Sequence, residues 1–153
     1  MKKIAIAVLL LALTVVPAFA ADGWAAGVSL GYPRNGVAFS YAQKDFDVIG
    51  TVAWNFSGSG LLTAQLGANY DIAEIEIDRQ NSIDVTAGVA ATAGFAFDPF
   101  AFSLGAWVPF GLSYTFDSIP LEIFLRVGPT ISILPEPLNI NVDAALGILY
   151  HFE

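Results

Sequence analysis

A strict two-residue alternation of side-chain size runs through this chain from Trp24 to Phe152 and leaves few architectures open. Trp24, Ala26, Val28, Leu30 and Tyr32 alternate with Ala25, Gly27, Ser29 and Gly31. Val37, Phe39 and Tyr41 alternate with Ala38 and Ser40, and Phe46 to Phe56 with Asp47, Ile49, Thr51, Ala53 and Asn55. The pattern returns in Leu62–Ile72, Ile83–Phe95, Phe102–Phe116, Leu121–Ile133 and Ile140–Phe152. Successive side chains of a strand point to opposite faces, so each of the eight segments is expected to be a strand with a large face and a small face. The large face holds Ala, Val, Ile, Leu, Phe, Tyr and Trp, broken only by Gly50 and Pro129. It carries no charged residue and no Ser, Thr, Asn or Gln.

Which face lies inside decides the class. A soluble lipocalin-like barrel would bury the large face and wet the other. That other face is mostly Gly, Ala, Ser and Thr, with Asp47, Gln65, Asp71, Asp84, Glu122, Arg126, Asp143 and His151. It is too sparsely charged for a water-facing surface. The chain is 56% hydrophobic and 13% charged, where ordinary domains carry about 25% charged residues. An eight-stranded barrel has an interior just wide enough for side chains to fill, which suits small residues and a few charges. The expected fold is therefore all-β: an eight-stranded antiparallel up-and-down transmembrane β-barrel, closed and without edges, its large face toward lipid. Aromatic residues sort to strand ends, as interface girdles require. Trp24, Tyr41, Phe46, Tyr70, Tyr114, Phe116, Tyr150 and Phe152 mark a periplasmic rim; Tyr32, Trp54, Phe56, Phe95, Phe100 and Phe102 mark the other.

Residues 1–20 read as a secretory signal peptide: Met1-Lys2-Lys3, an apolar stretch from Ile4 to Val16, and an Ala18-Phe19-Ala20 cleavage signal. The apolar run is short for a spanning anchor, which needs roughly 20 residues. Residues 21–153 form the barrel domain. Loss of Lys2 and Lys3 leaves 4 basic and 14 acidic residues, a net charge of −10. Nucleic acid and anionic surfaces are poor partners for such a chain. Cysteine is absent and there is one His, which excludes disulfides, thiolate chemistry and polyhistidine metal sites.

Turn chemistry at Pro33-Arg34-Asn35-Gly36, Ser57-Gly58-Ser59-Gly60, Phe97-Asp98-Pro99 and Pro135-Glu136-Pro137 joins neighbouring strands on the outer side. Gln43-Lys44-Asp45 and Asp117-Ser118 do so on the periplasmic side. The longest connection, Ala73 to Ser82, is also periplasmic by this count. Its Ala73-Glu74-Ile75-Glu76-Ile77 alternation is open to two readings, a loop or a prolonged strand.

The final run, Val142 to Phe152, resembles the C-terminal signal of bacterial outer-membrane proteins, with Glu153 trailing the usual terminal aromatic. Val108-Pro109-Phe110-Gly111-Leu112-Ser113-Tyr114-Thr115-Phe116, followed by Ile119-Pro120-Leu121-Glu122-Ile123-Phe124-Leu125-Arg126-Val127-Gly128-Pro129, resembles a family of small uncharacterised bacterial outer-membrane β-barrel proteins, porin-like in build. The resemblance implies a fold, an outer-membrane location in a Gram-negative cell, outer-membrane lipid as surroundings, and the barrel-assembly machinery as a partner through the last strand. It brings no catalytic residues, cofactor or ligand.

The residues themselves suggest limited chemistry. His151 is the sole candidate base, no H-x-S motif accompanies it, and neither a cofactor nor a metal site is expected. A lipid-modifying enzyme is thus the least favoured of three readings, behind a non-enzymatic barrel with a structural or interaction role and a largely filled interior, and a transporter for small or apolar solutes. Asp47, Asp71, Asp84 and Glu122 fall at periplasmic strand ends and, with Asp143 and His151, face one inward cation, Arg126. Glu122 and Arg126 are roughly 13 Å apart along one strand at ~3.3 Å per residue, so Arg126 is expected to pair across strands and act as hub of this interior network. Pro109 and Pro129 each remove a ladder bond mid-strand. If Phe116 faces Leu121, Pro109 opposes Gly128 and Pro129 opposes Val108. The seventh segment then becomes the weakest stave, with a lateral gap beside Gly128; simple bulges are the plainer alternative.

Overall fold

The computed structural model describes residues 23–32, 35–54, 61–97 and 99–152. The expected leader and its cleavage site, Pro33-Arg34, Asn55, Phe56, the Ser57–Gly60 turn, Asp98 and Glu153 lie outside the described residues. Among those described, nine strands form one antiparallel sheet that closes into a ring. They are β1 (Trp24–Tyr32), β2 (Asn35–Ala42), β3 (Asp47–Trp54), β4 (Leu62–Asp78), β5 (Asn81–Phe97), β6 (Phe100–Trp107), β7 (Phe110–Thr115), β8 (Leu121–Leu134) and β9 (Ile140–His151).

Nine strands make eight staves. β6 and β7 both lie between β5 and β8, in one continuous register: Ala90 faces Trp107 and Ala87 faces Phe110. Trp107 faces Thr130 and Phe110 faces Val127 on the other side. The expected sixth strand is therefore broken in two at Val108-Pro109, where proline fixes φ and lacks the N–H a ladder requires. β9 pairs with β1 and closes the circuit.

The large face points outward. Val28, Leu30, Leu66, Val89, Phe100, Phe110 and Val142 are each more than half exposed, whereas Ala25, Ser29, Ala38, Ser40, Thr63, Thr86 and Ala90, on the alternate positions, are buried. Gly50, an exception on the large face, lies opposite Phe39, whose ring occupies the space a Cβ there would need. A cross-strand aromatic thus covers the glycine. Outward rings meet in pairs at the end that carries Trp24 and His151, here called the rim. Trp24 and Tyr41 are 4.7 Å apart, Tyr114 and Phe116 4.8 Å, and Tyr150 and Phe152 5.5 Å. At the far end Phe95 and Phe102 lie 5.1 Å apart.

The stretch Ala73–Ser82 is strand rather than loop. β4 and β5 stay paired out to Asp78 opposite Asn81, with register shifts between Asp71 and Ala73 and between Glu76 and Asp78. An extra residue on one strand of a pair makes such a bulge. The first bulge resets the parity: Ala73 and Ile75 continue the outward face opposite Val85 and Ile83, and Glu74 faces Asp84. Tyr114 Oη donates to Asn81 Oδ1 at 2.7 Å, which ties the hairpin tip to β7.

Candidate functional site

Interior side chains divide into a rim cluster, a packed middle and a far cup. At the rim, Glu122 on β8 meets His151 on β9, with Nε2 and Oε2 2.8 Å apart. The backbone N–H of His151 donates to the Pro120 carbonyl at 2.8 Å, holding the ring at this position. Asp47 and Asp84 are partly buried on the same rim and Asp71 is exposed. Glu74 directly opposes Asp84, a like-charge arrangement that costs stability. Among the described residues, no group of three or more His, Asp or Glu side chains comes close enough to hold a metal ion.

The middle is where the sequence alone was least informative. Phe124, 2% exposed, and Leu149, 0% exposed, point inward and pack with Ala25, Ala38 and Ala145. Ile49 and Trp107 are buried on the same inward face. A Cβ on Gly147 would run into the Phe124 ring, so glycine on β9 makes the recess that this ring fills. Trp107 Nε1 donates to the Gly128 carbonyl at 3.3 Å. The available signal was a phase error: a large apolar residue on the small face, with glycine across from it.

Arg126 is 6% exposed and departs from expectation. Its guanidinium lies 4.1 Å from the Phe124 ring centroid, and among the described residues no carboxylate is within ion-pair distance of it. Nε is buried without a hydrogen-bond partner. Glu122 and Asp47 are the acids in electrostatic reach. Gly111, opposite Arg126, gives its stem room, since a Cβ there would stand 3.0 Å from Arg126 Cγ. The expected acid-paired hub is instead a cation over an aromatic face, an attraction of about 0.5–2 kcal/mol.

Pro109 and Pro129 do oppose Gly128 and Val108, but they weaken a different stave from the one expected. The Gly88 N–H donates to the Pro109 carbonyl at 2.8 Å, and the Val108 N–H to the Pro129 carbonyl at 3.0 Å. In an antiparallel ladder a residue turns its nitrogen and carbonyl toward the same neighbour. Pro109 therefore withholds its bond from β5, and Pro129 withholds its bond from the β6–β7 stave. The stave flanked by both losses is the split sixth, not the seventh. Backbones are in close contact at this level, because a Cβ on Gly128 would collide with the Val108 carbonyl.

Beyond Trp107 the interior changes character. A small cavity of about 30 Å³ lies against Ser29, Thr51, Gln65, Trp107 and Asp143, room for a water molecule. Past it a cup of about 580 Å³ opens at the far end, walled by Thr92, Ser103, Thr130, Ser132, Asn141 and Asp143. Asp143 is 6% exposed. Comparison with family models, with curated proteins and with solved structures finds no match to this chain.

Proposed function

We propose that this chain is a bacterial outer-membrane β-barrel protein, non-enzymatic, with an occluded middle and a structural or interaction role at the membrane. One observation carries the reading: the closed ring turns its large apolar face outward, with aromatic pairs gathered at both strand ends. A soluble monomer rarely exposes apolar patches beyond a few hundred Å², whereas a bilayer solvates such a surface and requires every backbone group to be paired inside the sheet. The rim end is then periplasmic, and β9 is the strand offered to the assembly machinery.

The interior supports occlusion. Phe124, Leu149, Ile49 and Trp107 are buried across the narrow lumen, where an eight-stranded barrel leaves little spare width. His151 is engaged by Glu122, and no hydroxyl hydrogen-bonds to it among the described residues; such a pair serves the rim as a polar tie. Expression in a Gram-negative host tests the assignment. Mature protein is expected in the outer-membrane fraction, with heat-modifiable migration on gels and no unitary conductance in planar bilayers. Recovery in the soluble periplasmic fraction overturns the membrane reading, and stepwise conductance favours a transporter instead.

A further inference from the structure

The far cup has polar walls and one incomplete side. Below it Trp107 borders the separate cavity of about 30 Å³, with its indole nitrogen tied to the Gly128 carbonyl. Thr92, Ser103 and Ser132, with the Asn141 amide, line it beside Asp143, and Tyr32 borders it. The volume of about 580 Å³ falls within the range of small-molecule sites, about 300–1,000 Å³.

The incomplete side is the seam between β6 and β8. Pairing there covers only Leu104 to Trp107, with a register shift between Leu104 and Gly105 that leaves Ile133 out of the ladder. β8 then ends at Leu134, while β6 continues to Phe100 along β5 alone. Ser132 turns its backbone to the β8–β9 connection, donating to Asn139 O at 2.8 Å and accepting from Leu138 N at 2.9 Å. Phe100 to Ser103 thus has no strand partner on the β8 side. Leu104, a residue of the outward apolar face on this seam, also borders the cup. Polar interior and apolar exterior meet at this notch, higher on the same seam that Pro129 interrupts.

We propose that the far cup binds a single-chain amphiphile. Its uncharged hydroxyl-bearing head hydrogen-bonds Thr92, Ser103, Ser132 and Asn141 above the packed middle, and its alkyl chain leaves laterally between β6 and β8 past Leu104. A chain with 14 acidic against 6 basic residues disfavours an anionic head. The packed middle of Phe124, Leu149 and Ile49 makes this a capture site opening to the lipid side, not a route through the barrel. The inference rests on the membrane reading, since only a bilayer places a chain beside that notch.

The test uses the full chain in lipid nanodiscs, titrated with octyl glucoside below its micellar concentration, and with glucose and octanoate as comparison probes. Backbone amide shifts of Ser103, Gly105, Thr130 and Ser132 are expected to move saturably with octyl glucoside. Glucose and octanoate should each bind at least about tenfold more weakly, the loss of one main contribution. A Ser103→Ala, Ser132→Ala double variant should lose about tenfold in octyl glucoside affinity while inserting normally. Equal affinity for glucose overturns the lateral chain path, and equal affinity for octanoate overturns the neutral-head preference. Unshifted cup amides in well-inserted protein overturn the site and leave the membrane reading standing. Failure to enter the discs as a heat-modifiable barrel overturns both.

Discussion

Between the rim and Trp107 this barrel is filled by Phe124, Leu149, Ile49 and small residues; beyond Trp107 the described residues wall a cup with hydroxyls, Asn141 and Asp143. Both halves obey the same alternation, and the same strands, β8 and β9, run through each. The difference lies in what stands on the inward positions. On β8 these run Glu122, Phe124, Arg126, Gly128, Thr130 and Ser132, passing from charged to bulky to small polar. On β9 they run His151, Leu149, Gly147, Ala145, Asp143 and Asn141. Bulk on one strand meets glycine on the next in the rim half, so the lumen closes by interlocking. In the far half no such bulk appears above Trp107, and the seam is also shorter. Occlusion and opening are therefore written as a gradient along two strands rather than as separate domains.

The largest effect should come from removing the rim-half filling. Phe124→Ala deletes a fully buried ring and is expected to cost about 3–5 kcal/mol, read as a lower urea midpoint in detergent. Gly147→Val should overpack the same place at a cost of about 1–3 kcal/mol, and Phe124→Ala should relieve part of that cost in the double variant, the rest coming from the Val28 carbonyl 2.7 Å from the added Cβ. If the two costs simply add, ring and glycine do not interlock.

The far half should respond in the opposite sense. Thr130 Oγ1 is buried and unpartnered, so Thr130→Val removes a group that costs about 1–3 kcal/mol to bury. Its midpoint is expected to hold or rise by about 1 kcal/mol. A loss larger than that would mean the hydroxyl has a stabilising partner, and the contrast between the halves would narrow.

Arg126 sits where the halves meet. A cycle of Arg126→Met, Phe124→Leu and the double variant should give a coupling of about 1 kcal/mol, the cation over the ring. Arg126→Met alone should change the midpoint little, because no carboxylate forms an ion pair with it among the described residues. A loss of about 3 kcal/mol or more would restore the acid-paired hub expected from charge counting.

These residues show what the sequence could and could not convey. Alternation fixed the strand faces, the closed sheet and even the pairing of Pro109 with Gly128, because a period of two and a tight Phe116–Leu121 turn leave one register. It could not set which bond each proline withholds, since that depends on how the ladder's hydrogen-bonded rows fall. Arg126 misled for another reason. Counting charges on a face assumes that a cation finds an acid, whereas the guanidinium lies over Phe124, two residues away on the same strand face. The cup was invisible because a hydroxyl-lined face reads the same whether filled or empty.

The smallest effect tests whether the split sixth stave softens the boundary between the halves. Pro109→Val adds an N–H facing β5, and Pro129→Val adds one facing Val108. Each restored ladder bond is worth about 1 kcal/mol, but replacing proline frees the unfolded chain and returns about 0.4–1 kcal/mol of that. Global stability should therefore barely move. Local opening should respond, because the Gly88 and Val108 amides already donate across these seams at 2.8 and 3.0 Å and would gain a neighbouring bond. Their hydrogen exchange should slow about fivefold in the double variant, with β3 and β4 amides unchanged. If Gly88 and Val108 in the parent already exchange as slowly as amides in β3 and β4, the split stave is held as firmly as its neighbours and the far notch owes nothing to the prolines.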